Sequence, residues 1–549
     1  MNLLALPATS IELSPADIRR RVFEIIPATL AWTTLIGLSA LAFIVPFWIA
    51  IFIIIYDLYV LIRAFYMSVH LVYAYRRLRH EEAVDWLARC RGVGGDLGPY
   101  IKEVAGQLAA AASRPERRVA RDHLRELEEL QASGHDIVDW ERVHHVVVMP
   151  TYDESLTVLR TSLRSLVAAD FPHERLHVVV GFEERSGTAH ERAAAVTEEF
   201  ADSFQTFLTT FHPDGLPGEA RVKSANATWS IKQMEEKLTA AGIAIDDVLI
   251  SNFDSDTVAS ANYFSTLTYQ FITLPDRYRV SYQPLPIYNN NVWDAPAFSR
   301  VIATGSTFWQ MIESTRPERL VTFSSHSMTL RTLKEVGYWQ TDIVSEDSRI
   351  FWQCLLHFNG QYRTHPMYTT VSMDAALADS WWRTFVNQYK QKRRWAWGIE
   401  NFPFLAEGFL QNKHIAKRTK ALYLFRTLEG HHSWATAPII IAGLGWLPIF
   451  FGGPEFHTTV LSYSLPYMAR TIITIAMGGL VISSALQLLL LPHRPGTHSR
   501  WRYLSMIFQW ALVPVIATLL SSFPALDAET RLFLGRDLGF NVMEKSRRS

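Results

Sequence analysis

Two long apolar blocks bracket a middle region in which short β-branched runs alternate with amphipathic segments. From Ile26 to about Tyr75 the residues are almost continuously apolar, with Pro46 among them. That is long enough for two spanning helices of roughly 20 residues each, so the pattern predicts a transmembrane hairpin. Ser14, followed by Pro15 and Asp17, reads as the start of the leading helix rather than as part of a cleavable signal. After about residue 400 the apolar composition returns, with predicted spans near 433–453, 467–491 and 503–524 and with Trp434, Trp446, Trp501 and Trp510 at or near their ends.

Arginines set the sidedness. Arg19, Arg20 and Arg21 precede the hairpin and Arg76, Arg77 and Arg79 follow it, which places both ends and the next domain in the cytoplasm. Asp57 and Arg63 interrupt the second predicted span; they read as helix-end charges that snorkel, the alternative being a functional path through the membrane. The loop His493–Gly496 with Arg500 and Arg502 is also basic. Three C-terminal spans would nevertheless put the basic tail, Lys545, Arg547 and Arg548, outside. A re-entrant span, a hidden span or a failure of the charge rule would each reconcile the two.

Residues 80–141 are rich in Ala, Leu, Glu and Arg, with Leu124, Leu127 and Leu130 at helical spacing, and predict soluble helices. At His144 the period changes. Val146–Met149 is a β-branched run ended by Pro150, Leu176–Val180 repeats its shape, and Ser155–Ala169 between them has helical spacing. Strand, helix, strand predicts a βαβ unit with parallel strands, whose ligands sit beyond the strands' C-terminal ends. A further strand, Val248–Ser251, runs into an acidic cluster.

Composition removes some alternatives. Lys plus Arg equals Asp plus Glu at 53 each, so no global basic field exists to attract nucleic acid. The 49% hydrophobic content of the 549 residues fits a mixed membrane and soluble protein better than a wholly soluble one. The two cysteines, Cys90 and Cys354, are too distant and unlike in context to suggest a disulfide framework or a thiolate metal site.

Five clusters carry candidate chemistry. Thr151-Tyr152-Asp153-Glu154 follows the first strand, where a helix start offers amides to an anion, Tyr152 a stacking face and Glu154 an acceptor; a capped helix start is the plain alternative. Glu183-Glu184-Arg185 ends the second strand, where a carboxylate can bind a base or ribose, or simply face solvent. Asp254-Ser255-Asp256 brackets one residue with two carboxylates, a pattern suited to Mg2+ or Mn2+ and hence to a departing diphosphate. Ser345-Glu346-Asp347 offers Asp347 as a general base and Glu346 as a wall of an acceptor pocket, against a reading as acidic helix-start residues. Gln391-Lys392-Arg393-Arg394-Trp395 closes a segment in which Trp381, Phe385 and Tyr389 form one aromatic face. It predicts a helix near 381–398 lying at the membrane surface, with Arg394 placed to clamp a diphosphate and Trp395 to floor a sugar ring.

In this order the motifs resemble the family-2 inverting glycosyltransferases of the cellulose synthase and hyaluronan synthase type, over about residues 144–400. The resemblance implies a GT-A, Rossmann-like α/β domain flanked by α-helical transmembrane segments. It implies that Asp254 and Asp256 bind donor diphosphate and metal, that Asp347 is the base, and that Gln391, Arg394 and Trp395 meet acceptor and diphosphate. Thr151, Tyr152 and Glu154 match a nucleotide-contact segment, and Lys223 with Asn226 matches a Lys-x-x-Asn element near the donor. Ser345 stands where a threonine is usual, and Glu183-Glu184 where an aspartate pair is common.

The resulting expectation is an integral membrane enzyme with an N-terminal hairpin (1–80), a helical linker (81–143), a cytoplasmic catalytic domain (144–400) and a C-terminal membrane region (401–549). Its partners would be membrane lipid, a nucleotide-diphosphate sugar, for which the resemblance implies a UDP-sugar, and a glycan or lipid-linked acceptor. Processive synthesis and export of a polysaccharide is the first expectation and transfer of one sugar to a polyprenyl phosphate the second. A non-catalytic receptor or transporter is the third.

Overall fold

Val146 and Val148 bury on one face of a strand and Val147 and Met149 on the other, the alternation of a pleated strand whose two faces are both covered. In the computed structural model, which describes residues 15–538, that strand is β1 (His144–Thr151). β2 (Leu176–Glu183), β3 (Thr206–His212) and β4 (Val248–Asn252) follow, then β5 (Val258–Ala259), β6 (Val280–Ile287), β7 (Ser327–Thr329) and β8 (Arg363–Ser372). They form one mixed sheet in the order β3-β2-β1-β4-β7-β6-β8-β5. β1 pairs in parallel with both β2 and β4, while β7 runs antiparallel to β4.

Helices cover both faces. Leu156–Val167 and Tyr263–Thr273 pack on the side of Val147 and Leu249, and Lys223–Ala240, Glu346–His357 and Asn401–Gln411 on the side of Val148 and Ile250. The predicted βαβ unit is thus present, with Ser155 capping its helix through the amide of Val158. The chain leaves β1 toward β2 on one side and β4 lies on the other, so a crevice opens beyond the C-terminal ends of β1 and β4, where open α/β sheets bind ligands.

The predicted linker is the helices Trp86–Val93, Leu97–Ala110 and Arg114–Ser133. Leu127 and Leu130 turn inward to the same core as β1.

Among the described residues four helical segments are long and apolar enough to cross a membrane: Asp17–Ile44, Pro46–Glu81, Val460–Leu489 and Trp501–Phe533. The predicted 433–453 span is not a straight helix. Lys417–Ala442 and Leu444–Phe451 meet at 44°, because Gly443 leaves helical geometry and Gly445 and Pro448 follow within five residues. Arg63 reaches Glu429 (3.5 Å) and Ser433 (3.1 Å) of that bent segment. It is therefore satisfied inside the helical bundle instead of snorkelling away from it. Ser14 and the tail residues Lys545, Arg547 and Arg548 lie outside the described residues.

Candidate active site

The crevice is acidic, and one lysine holds it together. β4 ends at Asn252 and delivers Asp254 and Asp256 to its mouth, while the Glu346–His357 helix opens toward the same point with Glu346 and Asp347 in its first turn. Lys223, first residue of its own helix, places its Nζ 2.7 Å from Asp254, 3.7 Å from Asp347 and 3.8 Å from Glu346. Three carboxylates from two distant segments converge on one ammonium, which they keep charged well above the ordinary lysine range despite its burial. Glu346 is 5% exposed. Burial first, then the negative charge of Asp347, lifts its carboxyl well above the usual carboxylate range.

Around this centre the neighbours are specific. Ser324 donates to Asp254 Oδ2 at 2.7 Å, and the amide of Asp374 donates to Asp256 Oδ2 at 2.9 Å. His326 lies 3.8 Å from Asp347 through Nδ1. Its Nδ1 faces the carbonyl of Phe323 (3.0 Å) and its Nε2 receives the indole N–H of Trp339 (3.4 Å), an arrangement that fits a neutral ring with the proton on Nδ1. Burial agrees, holding its pKa below the ordinary histidine value. Ser325, between Ser324 and His326, has φ of +63°. A non-glycine residue in that region is strained, and here the strain turns two neighbouring side chains toward two different aspartates.

Tyr288, the residue after β6, is buried beside Asp254, Asp256 and Asp347, and burial followed by those charges raises its hydroxyl well above the ordinary tyrosine value. Arg394 acts electrostatically on both Tyr288 and Glu346. Trp395 packs against Tyr288 (6.0 Å between centroids) and Phe323 (6.4 Å). The last helix of the sheet domain, Trp381–Ala396, therefore brings Arg394 and Trp395 to the acidic centre.

The model of glycosyl transferase family group 2 matches residues 249–523, half of the 549-residue chain. The chain belongs to that family. As a member it is a glycosyltransferase, with a mixed α/β sheet flanked by apolar helices. No curated protein matches it. Among solved structures it is similar to the mannosyltransferase PcManGT from Pyrobaculum calidifontis in complex with GDP-Man and Mn2+, at 15% identity and a TM-score of 0.34, covering 76% of this chain and 99% of that one. It is also similar to residues 1–349 of S. aureus TarS in complex with UDP-GlcNAc, at 12% identity and a TM-score of 0.34, covering 74% of this chain and 97% of that one. Likenesses this remote carry no argument about substrate.

Not every motif of the transferase faces this centre. Glu154 accepts from Thr151 Oγ1 (2.7 Å) and the amide of Tyr152 (2.8 Å), so it folds the turn on itself. The Tyr152 ring is covered by the Arg185 guanidinium at 4.7 Å. Glu183 is buried between Arg185 (3.1 Å) and His212 (3.5 Å). Burial opposes the charged form of His212, but Glu183 and Glu219 outweigh it and raise its pKa. Asn226 donates to the carbonyl of Gly181 at 2.9 Å and pins β2. Gln391 is buried and accepts from Gln388. Ser345 is the N-cap of its helix, yet its hydroxyl bonds Glu400 rather than a cap amide. The aromatic face packs inward in part: Phe385 and Tyr389 pack on Phe298, Val301 and Ile516, and Trp381 lies edge-on to Phe298 at 5.2 Å yet stays 59% exposed.

Sequence reading missed Ser324, His326 and Tyr288. None lies in a recognisable spacing; each reaches the centre because β7 enters the sheet beside β4 and β6 beside β7.

The donor set suits a hard divalent cation. Mg2+ and Mn2+ are commonly held by one or two carboxylates together with substrate phosphates rather than by an all-protein cage. Asp254 and Asp256 provide that minimum, and no cluster of three His, Cys, Asp or Glu exists among the described residues to provide more.

Proposed function

We propose that the transferase moves a sugar from a nucleotide diphosphate to an acceptor hydroxyl in one inverting displacement, with Asp347 as base. The observation that carries this reading is the convergence of Asp254 and Asp347 on Lys223. It puts a carboxylate suited to proton transfer beside one suited to the diphosphate, as direct displacement requires.

Asp347 takes the acceptor proton onto a carboxylate oxygen. The acceptor oxygen forms its bond to the anomeric carbon as the bond to the nucleotide diphosphate breaks, and the electron pair leaves on the diphosphate. Lys223 and Arg394 stand where that charge develops and offset it. Asp254 and Asp256 would hold Mg2+ or Mn2+, which neutralises diphosphate charge when bound. His326, neutral and fixed at both nitrogens, walls one side of Asp347 at 3.8 Å. Thr151, Tyr152, Glu154 and Glu183 shape the nucleotide end of the crevice. Glu346, Gln391 and Trp395 border the acceptor end.

The sheet domain, residues 144–400, works at the cytoplasmic face of a membrane between a hairpin of residues 1–80, joined to it by the linker 81–143, and a C-terminal region of residues 401–549. Arginines at both ends of the hairpin support this side. The contact of Trp395 with the domain core and of Lys392 with Trp434 of the bent apolar segment favours a product that passes from the site toward the membrane helices, as an elongating polysaccharide does.

Radiolabelled UDP- and GDP-sugars, each with Mg2+ and with Mn2+, offered to the purified full chain test the proposal. A polymer ladder supports elongation and a single lipid-linked sugar supports transfer to a polyprenyl phosphate. Absence of nucleotide diphosphate release with every donor would eliminate transfer.

A further inference from the structure

A groove of about 500 Å³ runs between the Pro46–Glu81 and Val460–Leu489 helices. Glycine makes it. A Cβ placed on Gly479 would meet Ser68 Oγ at 3.1 Å, so the two helices touch there, whereas one placed on Gly478 would meet nothing within 4 Å. The helices close at one glycine and part at the next. Phe65, Val69, Ile475 and Ile482 wall the opening and stay exposed. Ser68 turns its hydroxyl back onto the carbonyl of Ala64 at 2.9 Å, which leaves the trough apolar along its length.

One end of the groove is charged. Along the first helix its lining runs from Leu61 to Arg76, about 22 Å at 1.5 Å per residue. The hydrocarbon of a leaflet is about 15 Å deep, half of the bilayer core, so the groove takes in the full depth of one leaflet. Arg76 and Tyr73 close it at the end where the arginines place the cytoplasm. Of the three arginines there, Arg77 pairs with Glu81 and Arg79 with Glu82, each at 2.7 Å. Arg76 is exposed and has no acid partner among the described residues.

We propose that this groove holds one anionic phospholipid of the cytoplasmic leaflet, its acyl chain between the helices and its phosphate on Arg76. The inference rests on the reading of these helices as membrane spans and is independent of the transferase chemistry. A planar guanidinium matches phosphate oxygens in pairs. Tyr73, one helical turn before it, is the kind of aromatic that sits at headgroup level. The acyl chain supplies dispersion contacts that helices parted at Gly478 do not make with each other. A soluble anion makes no use of the trough, and a neutral lipid makes none of the cation.

The test is native mass spectrometry of the full chain, released from detergent after titration with phosphatidylglycerol, phosphatidylcholine or a polyprenyl phosphate. One phosphatidylglycerol is expected to be retained about 5-fold more tightly than phosphatidylcholine, the scale of one arginine at an anionic membrane surface. R76Q is expected to erase that ratio and R76K to keep most of it. G478L fills space that is open in the structure and is expected to weaken retention of both phospholipids. Both positions are exposed, so neither change disturbs a core. An unchanged ratio in R76Q, wild-type retention in G478L, equal affinity for the two phospholipids, or a response confined to the polyprenyl phosphate each overturns the proposal. A full chain that stayed monodisperse with neither detergent nor lipid would end the membrane reading and the groove with it; one that needs a bilayer yet shows no headgroup preference ends the groove alone.

Discussion

Replacing Asp347 by Asn tests the base while leaving the shape of the crevice in place. At an effective dielectric of about 20, a unit charge 3.7 Å from Lys223 interacts with it by about 4 kcal/mol, and Asp254 at 2.7 Å by about 6 kcal/mol. Asp347→Asn therefore removes the weaker of two strong attractions. Lys223 stays charged and stays on Asp254, so the diphosphate end of the site is preserved. Glu346 beside Asp347 is buried and held protonated, so the change leaves no second carboxylate uncompensated and the variant folds. The chemical step, however, loses its proton acceptor. General base catalysis contributes about 10²- to 10⁴-fold, or about 2.7–5.4 kcal/mol of barrier. The assay is single-turnover release of nucleotide diphosphate from labelled donor in the presence of acceptor, with donor binding measured separately by calorimetry. The expected outcome is a rate lower by that factor and a donor Kd within about 3-fold of wild type. A variant that turns over at the wild-type rate, or one whose whole defect lies in donor affinity, would refute the assignment.

Three further outcomes follow from the same geometry. The folded state holds Glu346 protonated above its ordinary value of 4.5, so it binds more protons than the unfolded chain and its stability falls as pH rises from there through the raised pKa. Glu346→Gln is expected to flatten the decline in Tm between about pH 5 and about pH 8; an unaltered profile counts against a protonated Glu346. Trp395→Ala removes the ring packed on Tyr288 and Phe323 and is expected to shorten products on a sizing gel while donor binding by calorimetry holds, and full-length product would show that this indole does not border the acceptor. Chelation with EDTA is expected to stop transfer and added Mn2+ or Mg2+ to restore it; activity that survives chelation removes the metal role from Asp254 and Asp256.

Local chemistry made much of this protein legible before folding. The alternation of Val146 to Met149, the cap at Ser155 and the acidic pair after Val248–Ser251 are periodicities and end signals set by neighbouring residues, so β1, its helix and β4 could be placed from them. Apolar length likewise marked the hairpin. Elsewhere tertiary packing overruled local signals. β6 carries Pro284 and Pro286, residues that argue against an interior strand, and it is accommodated by a register irregularity against β8 between Gln283 and Leu285. β7 has only three residues, too few for any period to show. Because these strands are invisible locally, so were Ser324, His326 and Tyr288, which flank them. Glu154 and Glu183 looked free to meet a ligand, but the fold assigns their carboxylates to a turn amide, an arginine and a histidine. The sequence by itself determined that β1, β2 and β4 are strands, where the long apolar stretches lie, and which residue types carry chemistry, because those depend on near neighbours. The tertiary structure alone decided that Lys223 gathers three carboxylates, and that Lys392 lies against two indoles with no acid paired to it among the described residues. Such pairings join residues far apart in the chain, and distance in space is not written in spacing along it.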